Sequence, residues 1–259
     1  GLLVRGRTGR LAGPLGLMAG SALGLAAALG LLAAGEYPRL DLDWGLPVGS
    51  FSLGFDPLTL VFLLPCFGLG LACPLYGLGA LASEPGPKVR THWFFFSLLT
   101  AGLALVAVAR DGFLFLLAWE AMGLSPFFLV SFHDDRGEVR EAAWTYLVAS
   151  HLGVLCLVAF FAWLGSVAGA THFDALAEVA PRLAAAGPLF LLALVGFGAK
   201  AGLAPLHVWL PEAHPAAPSH VSAFMSGALI TAGMYGVART LVLLGPGPAW
   251  WGGLLLGLG

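Results

Sequence analysis

Two residues of this sequence sit where an ionisable group is hardest to keep inert. Glu120 lies in FLFLLAWEAMGLSPFFLV, near the middle of an apolar run. At that depth in a bilayer a carboxyl group costs about 2.5 to 3.5 kcal/mol. Such a group is either a structural carboxyl hydrogen-bonded between helices, or a carboxylate that faces a wet interior path and carries or gates protons. The second reading is favoured, because ionisable residues inside membranes usually line such paths. Lys200, in LFLLALVGFGAKAGLAPLHVWLPEAHPAAPSH, is the one lysine inside an apolar run. Burial disfavours a charged ammonium and a nearby carboxylate restores it, so its charge follows its neighbours, as a switch requires. Snorkelling to the interface is the alternative, and the position of Lys200 well inside its run argues against it.

Histidines form a third group: His151 within a span, then His207, His214 and His220 around and beyond Lys200. Imidazole titrates near neutral pH and both donates and accepts, which suits a proton relay through water. A lone histidine is as readily a packing residue, and His207, seven residues after Lys200, is the best placed of the four. The spacing of His207 and His214 fits no usual zinc pattern. Cys66, Cys73 and Cys156 are scattered through apolar runs with neither CxxC nor Cys/His spacing, so neither a disulfide framework nor an iron-sulfur cluster is expected. No cofactor or metal is expected.

These groups need a scaffold, and composition names it. Hydrophobic residues make up 59% of the 259 and charged residues 10%, with a mean hydropathy of +0.90, outside the mixture a soluble domain needs. A net charge of -2 without a basic patch excludes a nucleic-acid partner. At about 20 apolar residues per crossing, spans are expected near residues 11–34, 57–82, 91–109, 112–132, 142–165, 187–209 and 219–243, with an eighth beginning near 248. The runs are continuous rather than alternating, so they are helices. Gly202 and Pro205 should break the span that holds Lys200 into two half-helices, with unwound backbone beside the amine. Pro126 is expected to kink the helix of Glu120. Pro211, Pro215 and Pro218 keep the next stretch from forming one continuous helix.

Residues 40–57, LDLDWGLPVGSFSLGFDP, carry turn signals between short alternating runs and predict a small surface hairpin. Arg5, Arg7, Arg10, Lys88, Arg90, Arg136 and Arg140 fall on one side; Arg39, Arg110, Arg182 and Arg239 fall on the other. Seven against four places the first side in the cytoplasm. The opening RGRTGR followed by apolar residues has the pattern of a signal peptide. The run exceeds the usual core of about 7 to 15 residues, so a retained membrane helix is expected. The sequence opens on Gly1 rather than Met and stops inside an apolar run, and a fragment is expected.

The stretch GFGAKAGLAPLHVWLPEAHPAAPSHVSAFMSG, with the earlier FLLAWEAMGLSPFFLVSF, resembles the antiporter-like proton-conducting subunits shared by respiratory complex I, Mrp-type cation/proton antiporters and membrane-bound group 4 hydrogenases. The variant PEAHPAAPSHVSA is most similar to component B of the hydrogenase-4 and formate hydrogenlyase type. The resemblance implies an all-α polytopic transmembrane bundle of about fourteen helices in two inverted five-helix repeats, each with a discontinuous helix. Residues 1–90 would then be leading helices with the hairpin loop, 91–243 the first repeat, and 244–259 the start of the next, truncated helix. Glu120 matches the family's helix carboxylate, Lys200 the lysine of the broken helix and His207 the histidine of its PLHxWLP segment. The family commonly carries a further lysine in the next helix, and in GALITAGMYGVAR that position is Thr231, whose hydroxyl can hold a water but cannot store a charge.

The expected activity is therefore proton translocation. Glu120 and Lys200 would form an ion pair broken by an electrostatic push from a neighbouring subunit, and protons would re-enter near His207. Expected partners are other membrane subunits, a peripheral redox arm, the lipid bilayer and protons, with sodium as the alternative ion. The resemblance implies a multi-pass location in the inner (plasma) membrane of a bacterial or archaeal cell. A sodium/proton antiporter module and a structural membrane anchor are the rival readings.

Overall fold

The structure, a computed structural model, describes residues 6–42, 44–46, 48–183 and 186–258, with side chains from Arg10 onward. Arg5 and the side chain of Arg7, both counted toward the more basic face, lie outside the described residues.

Helix boundaries follow the capping chemistry of the sequence. Helix α1 (Gly6–Ala34) is followed by strands β1 (Arg39–Leu42) and β2 (Phe51–Gly54), which pair antiparallel with Arg39 opposite Gly54 and Leu42 opposite Phe51. This is the expected hairpin. Asp56 then caps α2 (Pro57–Ala80): its carboxylate accepts the Thr59 N–H at 2.7 Å, and Pro57 opens the helix. Helix α3 (Gly86–Val108) starts just after Pro85, earlier than the expected residue 91, because Pro87 suits a first turn. Asp111 caps α4 (Gly112–Val130) by accepting the N–H groups of Phe113 and Leu114. Helix α4 runs on through Pro126 as one helix.

Helix α5 (Gly137–Ala168) ends at Gly169, whose φ of 67° is the left-handed stop that glycine supplies without strain. The short α6 (Phe173–Val179) follows, then α7 (Ala186–Ala201), which stops at Gly202. Residues 202–209 run as successive turns before α8 (Leu210–Ala216). Helix α9 (Ser219–Phe224) passes through one π-helical turn, Met225–Leu229, into α10 (Ile230–Leu244), and α11 (Ala249–Leu258) follows. The span carrying Lys200 is broken where Gly202 and Pro205 predicted.

Six of these helical stretches are long and apolar enough to cross a membrane, and α7 and α11 are shorter apolar helices. Leu23, Leu75, Leu152, Leu155 and Val242 point outward, as lipid-facing side chains do, while Trp93, Phe96, Trp119, Phe160 and Phe224 fill the interior. Neighbouring helices pack in the pairs α1–α2, α3–α4, α4–α5, α5–α7 and α7–α10. Glycines set the closest of these contacts. A Cβ on Gly233 of α10 would lie 2.4 Å from the Ala201 nitrogen and 2.6 Å from the Phe197 carbonyl oxygen, so α10 meets the end of α7 backbone to backbone.

The charges divide between two faces. Arg10 donates to the carbonyls of Leu81, Ala82 and Glu84 on one. On the other, Leu53 bridges to Ala109 and Asp111 to His172, which gathers the hairpin and two interhelical connections.

Candidate functional site

The end of α7 delivers Lys200 into the bundle. With the helix stopped at Ala201, the last carbonyls of α7 lack intrahelical donors. The indole N–H of Trp209, on the returning turns, donates to the Ala199 carbonyl at 2.8 Å and supplies one. Lys200 itself is 3% exposed. Its ammonium donates to the Ser150 hydroxyl at 2.6 Å and the Tyr146 hydroxyl at 2.9 Å, and lies 4.8 Å from the centre of the Tyr146 ring. Tyr146 in turn donates to the Gly123 carbonyl of α4 at 2.9 Å. A Cβ on Gly123 would stand 3.8 Å from the ammonium nitrogen, in ordinary van der Waals contact, which places the amine against this turn of α4.

Glu120 lies one turn before Gly123, on the same side of α4. It is not the buried, directly paired carboxylate expected. Among the described residues no ion pair joins it to Lys200 within 4.0 Å, and its side chain is 34% exposed. Tyr146 and Ser150 occupy the amine's contact shell, and Glu120 turns toward the flank of the bundle. There its partner is His151 of α5, with Nε2 3.6 Å from the carboxylate. Consecutive residues of α5, Ser150 and His151, thus each hold one member of the expected pair.

The tautomer of His151 follows from its other contact. Nδ1 lies 2.9 Å from the Leu147 carbonyl, which can only accept, so Nδ1 carries the hydrogen. The neutral ring then presents a bare Nε2 to the carboxylate. At 3.6 Å the two are neighbours rather than hydrogen-bonded partners, and the pair lies open at the flank of the bundle.

The remaining sequence candidates separate. His207 is exposed on the turns after α7 and its side chain makes no hydrogen bond among the described residues; the turn from Gly202 to Trp209 swings it out of the bundle, away from the expected relay with Lys200. His214 accepts or donates at 2.9 Å with Ser222. His220 is buried and bonded through Nε2 to Nε2 of His92 at 2.8 Å. The Thr231 hydroxyl donates to the Ala228 carbonyl at 2.8 Å and borders a void of about 10 Å³ shared with Cys66 and Tyr235. No group of three or more histidine, cysteine or carboxylate side chains among the described residues is arranged for a metal.

Sequence reasoning missed three participants beside Lys200 and His220: Tyr146, Ser150 and His92. It also missed a buried cluster on the face opposite Arg10. Arg239 of α10 donates to both Asp56 oxygens, at 2.5 and 3.0 Å, and to the Tyr235 hydroxyl; Arg110 lies 3.3 Å from Asp56 and donates to Thr59. Burial alone would raise the Asp56 carboxyl. The Arg239 hydrogen bonds, the Thr59 N–H and the two positive charges outweigh it and hold the group well below the usual carboxylate range. Asp next to the start of a span and Arg239 within one was the available signal.

Comparison with known proteins agrees with this architecture. A family model described as NADH:quinone oxidoreductase/Mrp antiporter, TM, matches residues 109–258. An uncharacterized protein of Mycobacterium tuberculosis is 38% identical over 233 residues, covering 89% of this chain and 36% of that protein. Hydrogenase-4 component B of Escherichia coli is 35% identical over 213 residues, covering 81% of this chain and 32% of that protein. The Mrp complex from Dietzia sp. DQ12-45-1b contains a chain that superposes with a TM-score of 0.77 at 25% identity, over 94% of this chain and 27% of the other. This chain spans about a third of the length of the curated relatives it matches.

Proposed function

The chain belongs to the NADH:quinone oxidoreductase/Mrp antiporter transmembrane family, and from that premise we propose that it is a proton-translocating, antiporter-like membrane subunit of a respiratory oxidoreductase or membrane-bound hydrogenase complex. Its role there is to couple electron transfer in partner subunits, including a peripheral redox arm, to proton movement across a bacterial or archaeal plasma membrane. Residues 91–243 act as the first of two inverted repeats, with the Arg10 face toward the cytoplasm. The observation that carries the reading is Lys200: a buried ammonium at the end of a broken helix, held by two neutral hydroxyls, against the Gly123 turn of α4, with Glu120 one turn before Gly123.

The two hydroxyls solvate the charge but do not neutralise it. A buried cation without a contacting anion depends on more distant charge, and Glu120 is the carboxylate beside it on α4. Changing the charge of the Glu120–His151 pair therefore acts on Lys200 through space. When a neighbouring subunit draws the Glu120 charge away, the ammonium loses its compensation and releases a proton to the interior; when the charge returns, the amine is reloaded. Tyr146 and Ser150 position the amine throughout. His207, His220 and Thr231 lie along candidate stretches of the path, with His207 at the exposed turn and Thr231 beside a void too small for more than one water.

The test uses the full-length subunit in its parent complex, in inverted membrane vesicles. Glu120→Gln and Lys200→Ala should each abolish proton translocation while assembly persists. Full translocation by either variant would overturn the assignment. The likeness to a chain of the Mrp complex favours a second reading, sodium/proton exchange through the same carboxylate. Proton movement that requires sodium in the same vesicles would select it, and flux unaltered by Lys200→Ala would leave only an anchoring role.

A further inference from the structure

Three membrane spans end at one level on the Arg10 face. The apolar stretches run from Arg10 to Ala34, from Pro57 to Ala80 and from Gly86 to Val108, so α1 enters, α2 leaves and α3 enters the bilayer there, where acyl chains meet headgroups. Between the three helices lies a cavity of about 330 Å³. Its apolar wall is made by Leu11 of α1, Leu78 of α2, and Val89 and Trp93 of α3. Two glycines seat the Trp93 ring: a Cβ on Gly13 would lie 2.6 Å from its Cβ, and one on Gly77 2.6 Å from its Cη2. Leu11 is 47% exposed, so the cavity borders the outer, lipid-facing surface of the bundle.

The polar border of the cavity is Arg10, half-buried. Its bonds to the carbonyls of Leu81, Ala82 and Glu84, at 3.1, 2.8 and 2.9 Å, all leave from Nη2. They fix the plane of the guanidinium, while Nη1 and Nε make no hydrogen bond among the described residues and no carboxylate lies within 4.0 Å. Carbonyls carry no net charge, so this oriented cation lacks a counter-ion. Lys88 and Arg90 flank Val89, against the single acid Glu84, and leave this end of the cavity positive. Water holds a cavity only where it finds two to four polar partners. Leucine, valine and the Trp93 ring offer none, and the Leu81 and Ala82 carbonyls already accept from Arg10.

We infer that the cavity between α1, α2 and α3 binds an anionic glycerophospholipid, its phosphate on the free N–H groups of Arg10 and an acyl chain along Leu11, Leu78 and Trp93. An occupant must be amphipathic to match one cationic end and one apolar wall, and a bilayer lipid is the amphiphile present at this depth. The guanidinium fork suits a phosphate, which accepts two parallel N–H bonds, and basic pockets between membrane helices take anionic headgroups for this reason. The lipid ties the start of α1 to the α2–α3 connection, supplying the anion that the protein itself does not place beside Arg10. This site goes beyond the proton-translocating reading and stands without it.

The experiment uses the full-length subunit in its purified complex, in detergent micelles, with a photoactivatable phosphatidylglycerol analogue whose crosslinks are mapped by peptide. Crosslinks should fall on the segments around Leu11 and Val89, and excess phosphatidylglycerol should displace the analogue where phosphatidylcholine does not. Arg10→Gln removes the charge and should lower labelling of these segments at least about tenfold. Leu78→Trp fills the cavity while leaving Arg10 and its three carbonyl bonds in place, and should lower labelling as far; it decides the matter should Arg10→Gln fail to assemble. Arg136→Gln, at the α4–α5 connection and outside the cavity, should leave labelling unchanged. Parental labelling in Arg10→Gln or Leu78→Trp, an equal loss in Arg136→Gln, or equal displacement by phosphatidylcholine overturns the site. Inorganic phosphate that displaces the analogue as well as phosphatidylglycerol does would assign Arg10 a free anion, and overturns the lipid. Labelling is read without ion movement, so its outcome is separate from that of Lys200→Ala in the flux assay.

Discussion

Asp56 offers the most sharply quantified perturbation. Its carboxylate does two separable things: it caps α2 through the Thr59 N–H, and it neutralises Arg239 and Arg110, whose side chains are 8% and 5% exposed. Asparagine caps a helix about as well as aspartate, so Asp56→Asn removes the charge and little else. Two guanidinium groups are then left with only hydroxyl and carbonyl acceptors from Thr59, Tyr235, Ala107 and Ala109. Removing one partner of a buried pair costs about 3 to 5 kcal/mol. Asp56→Ala should cost roughly 1 kcal/mol more, the value of the cap. The control is the Arg39–Asp174 pair, more than half exposed at both ends, where Asp174→Asn should cost under about 1 kcal/mol.

Denaturant unfolding of the full-length subunit in detergent measures all three. The pH dependence supplies a further check on the same group. The folded carboxyl titrates below its unfolded value of about 3.9, so its stabilisation is fully present above that value and is lost as pH falls through the lower folded one. Stability of the parent should therefore hold from neutrality to about pH 5 and fall on further acidification, with that acid-sensitive component missing in Asp56→Asn. An Asn variant as stable as the parent, or no more damaged than Asp174→Asn, refutes the reasoning.

Tyr146→Phe and Ser150→Ala each remove one of the two acceptors of the Lys200 ammonium, a hydrogen bond to a charged group worth about 1.5 to 3 kcal/mol. Both should slow vesicle acidification and lower unfolding stability, and the double variant should be worse than either. Gly233→Ala drives a methyl group against the Ala201 nitrogen and Phe197 carbonyl oxygen, and should cost at least about 1 to 3 kcal/mol, read as a lower detergent melting temperature. Thr231→Lys places a long cation beside a void of about 10 Å³; it should lower stability without raising flux, and a gain of flux would show that the helices separate there in the working protein.

The spans were legible because lipid imposes run length, and the break after Lys200 because Gly202 and Pro205 are local signals that no neighbour can override. Asp56 and Asp111, which cap α2 and α4, stand directly before two of the expected spans, a local signal that run length alone did not use. What sequence could not supply was pairing at a distance. His92 and His220 are 128 positions apart and Asp56 and Arg239 are 183 apart, each a single polar residue at or within the edge of an apolar run. His92, six positions into its helix, reads as interfacial until its partner is known. The same limit turned Glu120 and Lys200 into a direct pair on paper: spacing placed both at depth, but not the Tyr146 and Ser150 hydroxyls that take the contact positions around the amine.

That correction bears on how the proposed switch could be operated. A direct, fully buried ion pair is hard to perturb, because separating it leaves two uncompensated charges at a cost of several kcal/mol. Here the cation is solvated by its own helices, and its counter-charge stands at the bundle's flank beside His151, both side chains a third or more exposed. The switch then has its sensor outside and its proton store inside, linked by one turn of α4 and two adjacent residues of α5. A charge brought to that flank by another chain acts on Glu120 and His151 without entering the bundle or unpacking it. Replacing His151 by glutamine keeps a hydrogen-bonding group at the flank and removes the imidazole beside Glu120. Under the proposed mechanism that single change should weaken coupling to the partner subunits while Lys200 and its two hydroxyls stay in place. Coupling at the parent's level in His151→Gln would mean that the signal reaches Lys200 by some other route.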